Sequence, residues 1–398
     1  MYSRGAGELA PIGWYAHHHG RGHLDRAMAI APRIESRHVT VMSSGAFAAP
    51  AGIGRIALPA DLPTAGERAE PGPAFTHYAP RGVGGHSERM ALIASWIAAH
   101  RPALFVVDVS CEVALLAALC GAPVCVVRQH GHRVDRPHRL AYEAARGLLA
   151  PWPSWLDAGF DDPWAERTVH TGFPVEPSVS RGLAQERVLT VVVGGGGSSL
   201  HSNLPIRWAR ALPQWRIVML GRIDGVPGRD QLPPNLEFPG WVEDPRLALE
   251  RSAVVIAHAG SGSVGSAAAA GRPLIVVPEG RPFDEQRDKA ARLESTGTAL
   301  VARSWPEAEE LRVLLHRCES DPPRTASLAE AGDGADRAAA AIEVLAAAEE
   351  AQSTSSSDSS PAVGRRSRRT RSPSGFHSIQ PRSSNAASHP SIGQKPQR

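Results

Sequence analysis

The sequence predicts an α/β protein made of two successive doubly wound halves, and three observations support that prediction. Short apolar runs rich in Val and Ile alternate with Ala/Leu/Arg segments of helical length, as in β-α units around a parallel sheet. This alternation stops at a stretch rich in Pro, Gly and Ser, 168–186, and then starts again. A chain of 398 residues is also too long for one ordinary domain. We therefore expect two halves with a cleft between them.

The order of strands and helices follows from the same pattern. In the first half, strands are predicted at 12–17, 38–43, 55–58, 104–109 and 124–128, and helices at 23–35, 87–100, 111–120 and 138–149. In the second half, strands are predicted at 187–193, 216–220, 236–238, 253–258, 273–278 and 298–302, and helices at 204–212, 263–270, 284–295, 307–318 and 333–350. The predicted domains are therefore 1–177 and 187–350, followed by a tail over 351–398.

The positive charge of the chain is concentrated in its tail. The net charge is +3, but residues 351–398 carry eight Lys or Arg against one acid, so the rest of the chain is mildly acidic. This distribution excludes a body-wide basic surface, and no nucleic-acid partner is expected. The tail also holds 14 Ser and few apolar residues, which predicts disorder. We expect it to be solvated; weak peripheral contact with a membrane is the alternative.

The sequence predicts a cytoplasmic protein. Its longest apolar run, 114–127, is interrupted by Gly121 and Pro123 and is shorter than the ~18–20 residues that a spanning helix needs. The first twenty residues lack the apolar core of a secretory signal. The four cysteines show no Cys-x-x-Cys spacing, so neither a disulfide framework nor a zinc ribbon is expected.

A turn rich in Gly and Ser predicts an anion site in the second half. An apolar strand ends in His258, and the turn leads directly into a helix at Ser263. Backbone N–H groups at such a helix N-terminus are unpaired and bind phosphate or diphosphate. Gly260 and Gly262 allow a ligand to approach the backbone, and Ser261 and Ser263 add hydroxyl donors. A helix N-cap with a tight turn is the alternative interpretation.

The next loop favours a ligand over a simple cap. After the strand 273–278, a polar loop leads through Asp284, Glu285 and Gln286 into another helix beside the first. Acceptor groups at that position can hold sugar hydroxyls next to the phosphates. Together the two loops favour a functional site.

This block is similar to the donor-sugar motif of GT-B glycosyltransferases, in the group that includes MurG-like and family 28 enzymes. The matching elements are the His-x-Gly turn at 258–260, the Ala-Gly-x-Pro at 270–273 and a Gln eight residues after Pro278. The resemblance is good across 187–302 and weaker across 10–130. It implies two Rossmann-like domains, with the acceptor in the first and the donor in the second. It also implies transfer of a hexosyl group from a UDP- or dTDP-sugar to an acceptor hydroxyl.

The resemblance also implies roles for particular residues. In the family the turn contacts the diphosphate and an acid/Gln pair contacts the hexose. The residues that take these donor-binding roles here are His258, Gly260, Ser261, Gly262, Ser263, Glu285 and Gln286. A glycine run at 194–197 resembles the family's Gly-Gly-Ser loop near the diphosphate, and it adds Gly195, Gly196, Gly197 and Ser198. A flexible turn is the alternative for this run.

The nucleotide is expected to lie against the segment 240–245, with Val242 at the base and Trp241 nearby, because the family's base-binding segment occupies this position. One residue departs from the family pattern. Many UDP-sugar enzymes of the group have a Glu where this chain has Ser266, and that carboxylate binds both ribose hydroxyls. Ser266 cannot make such a bidentate contact. Related antibiotic glycosyltransferases that use dTDP-sugars often lack this Glu too, so both nucleotides stay open.

A candidate general base lies in the first half. Gly20-Arg21-Gly22 precedes a helix headed by His23, and the pattern is similar to the family's Gly-x-Gly-Gly-His, whose His faces the cleft. Histidine suits this task because an imidazole, with an ordinary pKa of about 6.5, is mostly neutral yet basic near pH 7. Asp108 ends a strand at the same sheet edge and is expected to set the tautomer of His23. The alternatives are an ordinary helix residue for His23 and a cap of helix 111–120 for Asp108.

The clustered histidines raise a metal hypothesis. The two groups are His17, His18, His19 and His23, and His130, His132 and His138. Successive strand residues point to opposite faces, so three consecutive histidines cannot all bind one ion. The sequence contains no Asp-x-Asp motif for a metal-bound diphosphate. We therefore expect metal-independent transfer without a cofactor, with His130 and His132 on the acceptor side of the cleft; the resemblance implies inversion.

Two other functions remain open at this point. A nucleotide-sugar 2-epimerase uses the same two-domain architecture and needs no acceptor. A non-catalytic nucleotide-sugar-binding protein is the other alternative, because Ser266 replaces the family's ribose ligand. For the transferase, we expect the acceptor to be a small molecule or a lipid-linked compound, and the sequence does not identify it.

Overall fold

Two parallel β-sheets, one in each half of the chain, organise the structure. The computed structural model describes residues 9–18, 20–176, 187–242, 244–329 and 332–357. The strands are β1 (Ile12–Ala16), β2 (Val39–Ser43), β3 (Ile53–Ala57), β4 (Leu104–Asp108), β5 (Val124–Val127), β6 (Gly147–Ala150), β7 (Thr168–His170), β8 (Val188–Val192), β9 (Arg216–Leu220), β10 (Leu236–Gly240), β11 (Val254–Ala257), β12 (Leu274–Val276) and β13 (Leu300–Val301). The α-helices are α1 (Gly22–Ile30), α2 (Gly84–His100), α3 (Cys111–Leu119), α4 (Arg136–Ala144), α5 (Asn203–Ala211), α6 (Arg246–Glu250), α7 (Ser261–Ala269), α8 (Glu285–Ser295), α9 (Ala308–Ser320) and α10 (Gly334–Ser357).

Each sheet has the strand order of a doubly wound fold, as predicted. The N-terminal sheet has seven strands in the order β3-β2-β1-β4-β5-β6-β7, and the C-terminal sheet has six in the order β10-β9-β8-β11-β12-β13. The pairings within both sheets are parallel. In both sheets the strand order reverses beside the first strand, between β1 and β4 and between β8 and β11. In doubly wound folds the ligand crevice opens at the carboxyl ends of such strands.

The strands are apolar because helices cover both faces of each sheet. Along β1, Ile12, Trp14 and Ala16 belong to one core cluster and Tyr15 belongs to a second. This partition follows from the alternation of side chains between the two faces of a strand. Two further clusters lie around the C-terminal sheet. Burial on both faces gives continuous Val/Ile/Leu runs, which is the pattern that predicted the strands.

Two strands of the N-terminal sheet were not predicted. The sequence prediction assigned 138–149 to one helix, but α4 ends at Ala144 and β6 follows it. A short apolar run such as 147–150 has no periodicity that separates a buried strand from a helix. Strand β7 lies within the stretch predicted as a linker, 168–186, of which 177–186 fall outside the described residues.

The last helix packs against the N-terminal sheet, so the predicted boundary of 187–350 for the second domain is wrong at its end. Ala338, Ala339 and Ile342 of α10 join the core cluster that contains Ile12 of β1. The pattern of the helix predicted a buried apolar face, but not which sheet buries it. The tail prediction also starts too early, because 351–357 continue α10; residues 358–398 lie outside the described part of the chain. Among the described helices, none is both long and apolar enough to cross a bilayer.

The packing of α10 predicts different effects for two substitutions on that helix. Ile342 is fully buried, whereas Val344 is 68% exposed. We expect Ile342→Ala to lower the free energy of unfolding by about 2–4 kcal/mol, because it removes buried methyl groups and leaves a cavity. Val344→Ala should change it by less than about 0.5 kcal/mol. Urea unfolding of both variants measures the difference, and equal effects would contradict the assignment of α10 to the N-terminal core.

Candidate active site

A cavity of about 1040 Å³ opens between loops that follow the strands of both sheets. Its wall includes the loop after β1 in the N-terminal half and the first turn of α7 in the C-terminal half. Most of the residues nominated from the sequence line it: His23, Gly195, Gly196, Val242, His258, Gly260, Ser261, Gly262, Ser263, Glu285 and Gln286. Asp108, Gly197 and Ser198 lie behind the wall, where each contacts a lining residue.

The first turn of α7 is open towards the cavity. The helix begins at Ser261 rather than at the predicted Ser263, and Gly260 occupies the N-cap position without a capping side chain. A Cβ atom added at Gly260 or Gly262 would meet no atom within 4 Å. The amides of this turn therefore keep their capacity for an external acceptor, and the aligned peptide dipoles place partial positive charge there. These are the properties of the predicted anion site.

His258 is held at the back of the turn by groups from two other loops. Its Nε2 lies 3.1 Å from Ser198 Oγ and 3.3 Å from Glu279 Oε1. Burial lowers the pKa of His258, so the ring is neutral at pH 7. Ser198 also donates to Glu279, so its hydroxyl serves inside the wall and does not face the cavity. Glu279 was not nominated from the sequence. It follows β12 at the carboxyl edge of the sheet, and a carboxylate at that edge is the pattern that could have predicted it.

The glycine run after β8 is only partly exposed to the cavity. Gly195 and Gly196 line it, whereas Gly197, with a φ of +82°, turns the chain and uses its carbonyl to accept from Arg281 Nη2 at 2.8 Å. Arg281 itself lines the cavity and was not nominated from the sequence. Its guanidinium adds positive charge beside the two glycines.

The segment predicted to contact the base also reaches the cavity. Trp241 and Val242 both line it. Trp241 is 44% exposed, so it is not a core residue. The ring of Trp241 lies 3.8 Å from the position that a Cβ atom of Gly195 would take. The segment therefore has an apolar surface beside the glycine run.

On the N-terminal side, His23 and Asp108 are in contact, as predicted. His23 Nδ1 lies 2.9 Å from Asp108 Oδ1. The alternative, in which Asp108 caps α3, is wrong, because Ser110 is the N-cap and accepts from Val113 N at 3.2 Å. Asp108 ends β4 and is fully buried directly behind the His23 ring.

Arg26, one turn after His23 on α1, binds the same carboxylate. Its Nε donates to Asp108 Oδ2 at 2.7 Å and its Nη2 donates to Asp108 Oδ1 at 2.8 Å. Burial alone would raise the pKa of Asp108, but the charge of Arg26 and the contact with His23 lower it to about 2. Asp108 is therefore a carboxylate throughout the neutral range. Arg26 was not nominated from the sequence. It could have been found as a charged residue among the apolar residues on the buried face of α1.

The contacts of Arg26 also settle the tautomer of His23. With the Gln129 amide oriented so that both its ends find complementary partners, Gln129 Oε1 accepts from Arg26 Nη2 at 2.9 Å. The two hydrogens of that Nη2 are then used by Asp108 and Gln129. Although Arg26 Nη2 lies 3.1 Å from His23 Nδ1, it has no hydrogen left for it. His23 Nδ1 therefore carries the proton and donates to Asp108, and the lone pair of neutral His23 is on Nε2.

Glu285 is joined to the N-terminal half. Its Oε1 accepts from Gln129 Nε2 at 3.0 Å and its Oε2 accepts from Arg133 Nη2 at 3.2 Å. Gln129 therefore links the carboxylate predicted to contact the hexose with Arg26. Neither Gln129 nor Arg133 was nominated from the sequence, because their position depends on how the two halves meet. Gln286 accepts from Glu279 N at 2.9 Å and remains on the cavity wall.

The turn before Glu285 has an unusual backbone. Phe283 and Asp284 both have left-handed conformations, with φ of +61° and +54°. Residues of the N-terminal half hold this turn, since His132 N donates to Phe283 O at 2.8 Å and Gly131 N donates to Asp288 Oδ2 at 2.9 Å. Two consecutive left-handed residues that are not glycine are costly, and these contacts offset the cost. They also fix the direction in which α8 starts.

The predicted histidine groups do not form a metal site among the described residues. His130 packs on the Trp152 ring, with 3.9 Å between centroids, and neither His130 nor His132 lines the cavity, so their predicted place on the acceptor side is wrong; His19 lies outside the described residues. In the part of the chain that the structure describes, one group has its ligand atoms within 4.8 Å of one another: His77, Cys111 and His138. Arg133 Nη1 lies 3.0 Å from His138 Nε2, and a guanidinium at that distance disfavours a cation.

Comparison with known proteins agrees with the geometry. Residues 229–344 match the model of the glycosyltransferase family 28 C-terminal domain. A UDP-N-acetylglucosamine–N-acetylmuramyl-(pentapeptide) pyrophosphoryl-undecaprenol N-acetylglucosamine transferase of Chelativorans sp. (strain BNC1) is 32% identical over 218 residues, which are 48% of this chain and 58% of that protein. The chain thus spans about three fifths of the length of that relative.

Solved structures cover nearly the whole fold. The glycotransferase of kitacinnamycin has a TM-score of 0.61 at 18% identity and covers 85% of this chain and 99% of its own. MurG of Acinetobacter baumannii has a TM-score of 0.54 at 17% identity and covers 84% of this chain and 99% of its own. The two sheets and their cleft therefore define a GT-B fold, as predicted. The match to the glycosyltransferase family 28 C-terminal domain model, at 229–344, falls mainly on the C-terminal half.

The buried Arg26–Asp108 pair predicts a large effect of Arg26→Met on stability. The variant leaves the Asp108 carboxylate buried without its cation, and we expect the free energy of unfolding at pH 7 to fall by about 3–5 kcal/mol. In the parent, the lowered pKa of Asp108 adds to the free energy of unfolding. This contribution is lost only as the pH falls from the ordinary pKa of 3.8 towards the folded-state pKa of about 2. In the variant the pKa of Asp108 is raised instead, so stability should increase as the pH falls from 7 to 5.

Arg21→Met is the matched control, because Arg21 forms an exposed ion pair with Asp25 on the same helix. It should change the free energy of unfolding by less than about 1 kcal/mol. Urea unfolding of the three proteins between pH 5 and pH 7 measures both effects. A loss no larger than that of the control would contradict the role given to Arg26.

Proposed function

We propose that the protein is a glycosyltransferase that moves a hexosyl group from a nucleotide-diphosphate sugar to an acceptor hydroxyl. One observation carries the proposal: a single cavity is lined by the open first turn of α7 and by the ring of His23, whose lone pair is on Nε2. Displacement at an anomeric carbon needs stabilisation of a charged leaving group and activation of a nucleophile. The first turn of α7 would stabilise the leaving group, and His23 would activate the nucleophile.

The donor is proposed to lie along the C-terminal wall. The diphosphate would accept from the amides of the first α7 turn, next to Gly195 and Gly196. The hexose would contact Glu285 and Gln286, and the base would lie against Val242 with Trp241 nearby. This arrangement is supported by the open space around Gly260 and Gly262 and by the apolar ring of Trp241 beside Gly195.

The proposed reaction is a single displacement. His23 Nε2 takes the proton of the acceptor hydroxyl while the oxygen forms a bond to the anomeric carbon. The bond from that carbon to the diphosphate oxygen breaks, and its electron pair leaves with the diphosphate. Asp108 stabilises the imidazolium that forms, through its contact with His23 Nδ1. Attack from the face opposite the leaving group inverts the anomeric centre.

We propose that this transfer needs no metal ion or further cofactor. The leaving diphosphate would be stabilised by the α7 amides, the hydroxyls of Ser261 and Ser263 and the charge of Arg281. The absence of an Asp-x-Asp motif from the sequence supports this assignment. Turnover in the presence of a chelator would be unchanged under the proposal.

The acceptor is proposed to be a small molecule or a lipid-linked compound bound on the N-terminal side. Tyr15, Tyr78, Met90 and Tyr142 line that part of the cavity, which supports an acceptor with an apolar body. The names of two relatives indicate different acceptors. One relative acts on a pyrophosphoryl-undecaprenol compound, and the other is the glycotransferase of kitacinnamycin. We propose a cytoplasmic location, with peripheral membrane contact through the basic C-terminal segment as an addition.

Substitution of the proposed base tests the function. His23→Ala should lower the rate of nucleoside diphosphate release, with donor and acceptor present, by about 100-fold or more, because it removes the proton acceptor. Donor affinity should stay within about threefold, since His23 lies on the acceptor side. His316→Ala, an exposed histidine on α9, is the control and should retain the parent rate. Enzyme-coupled detection of nucleoside diphosphate measures the rates.

Other results would point to other functions. Equal turnover of His23→Ala and the parent would remove His23 from the mechanism. Donor conversion without any acceptor would identify an epimerase. Tight donor binding without release of nucleoside diphosphate under any acceptor would identify a binding protein.

Donor choice gives a second test. Ser266 lines the cavity on α7. Ser266→Glu supplies a carboxylate that can accept from both hydroxyls of a ribose, so the ratio of UDP to dTDP affinity should rise by at least about tenfold, the scale of one charge-assisted hydrogen bond. Ser266→Ala adds no acceptor pair and should leave the ratio within about twofold. Thermal-shift titration with both nucleotides measures the ratio. An unchanged ratio in Ser266→Glu would contradict the proposed position of the ribose.

A further inference from the structure

Lys289 on α8 is fully buried, although the helix borders the cavity. It is one of the two lysines of the sequence, which carries its other positive charges on Arg. Its Nζ donates to Ser261 Oγ at 2.7 Å and lies 3.9 Å from Glu285 Oε1. An ammonium group has three hydrogens to place, and within the described part of the chain it has one hydrogen-bond acceptor and one more distant carboxylate, so these residues satisfy it poorly. A buried charge with so few partners does not stabilise a fold, which points to a role in the site.

Ser261 connects this charge to the cavity. It is the first residue of α7 and lines the cavity, whereas Lys289 does not. Because the Ser261 oxygen accepts from the ammonium, its own hydrogen remains for a different acceptor. A hydroxyl that accepts from a cation is also polarised and donates more strongly. The hydroxyl and the amides of the same turn can therefore donate to one anion.

The charges around Lys289 leave it sensitive to an added anion. Glu285 and Asp288 of α8 favour its charged form, whereas Arg26 of α1 and Arg133 after β5 oppose it, and the buried ring of His130 is nearby. Burial together with the two arginines lowers the pKa of Lys289 to about 8. An anion bound at the first turn of α7 would favour the charged form and raise this pKa again.

We propose that Lys289 is a positioning residue for the diphosphate of the donor, acting through Ser261 to make the first turn of α7 selective for a charged ligand over an uncharged one. This inference rests on the proposed function. Lys289 supplies full positive charge where the helix alone supplies partial charge. The same charge favours departure of the diphosphate, because negative charge accumulates on its oxygens as the glycosidic bond breaks.

Binding of UDP and uridine to the parent and to Lys289→Met tests the proposal, with dTDP and thymidine in parallel. At pH 7 we expect the variant to bind the diphosphates about tenfold more weakly, as expected for loss of one nearby charge in a partly screened site. Nucleoside affinity should change less than about twofold. In the parent, diphosphate affinity should fall as the pH rises above about 8, because the ammonium is lost. In the variant this fall should be absent. Calorimetry and competition measure these constants.

Two controls separate a charge effect from a folding effect. Arg287→Met removes an exposed cation from the same helix and should keep diphosphate affinity within about twofold. Lys289→Met should unfold at no lower temperature than the parent at pH 7, because it removes a buried charge. If it does not fold, the pH profile gives the test: the fall of diphosphate affinity above about pH 8 should be smaller in Ser261→Ala than in the parent, because the hydroxyl that connects Lys289 to the ligand is absent, and an equal fall in both would overturn the inference.

The outcomes distinguish this inference from the proposed function. A parent that binds neither UDP nor dTDP overturns both. A parent that binds a diphosphate, together with a Lys289→Met that keeps its affinity and its pH profile, overturns the inference and leaves the proposed function intact. An equal loss of diphosphate and nucleoside affinity also overturns it, because a general distortion of the site would produce that pattern.

Discussion

The bidentate contact between Arg26 and Asp108 is the interaction on which the candidate site depends. Neither charge can be buried alone at acceptable cost, and each satisfies the other within the N-terminal core. With Gln129 as the acceptor of the second Nη2 hydrogen, that nitrogen has no hydrogen left for His23. His23 must then give its Nδ1 hydrogen to the carboxylate, which sets the direction of its basic nitrogen. The orientation of the His23 ring on the cavity wall is therefore a consequence of how a buried ion pair is satisfied.

The same arginine connects the two walls of the cavity. Arg26 donates to Gln129, Gln129 donates to Glu285, and Lys289 lies beside Glu285. Polar contacts thus run from the ring of His23 on one sheet to the first turn of α7 on the other. Because these contacts join residues of both halves, they stabilise the arrangement of the halves seen in the structure. A ligand that bridges the walls would meet groups that are already oriented.

The sequence predicted the parts of the site that local patterns encode. The glycine turn before α7 and the histidine at the head of α1 each follow a strand at the carboxyl edge of its own sheet, so a place at a ligand crevice was predictable for each. Gln129, Arg133 and Lys289 were not predictable, because their partners come from distant segments. The fold shows the same division. The alternating strands were predicted, whereas β6 was not, since a short apolar run is ambiguous. The sheet that receives α10 depends on tertiary packing, which periodicity does not reveal.

The return of α10 to the first sheet makes the N-terminal half discontinuous in sequence. Its strands come from the beginning of the chain, but Ala338, Ala339 and Ile342 complete the core around Ile12. During synthesis the early strands therefore emerge long before the helix that covers them, while the second half can assemble as an uninterrupted segment. The chain also passes between the halves twice, and a double tether restricts twisting more than a single one does.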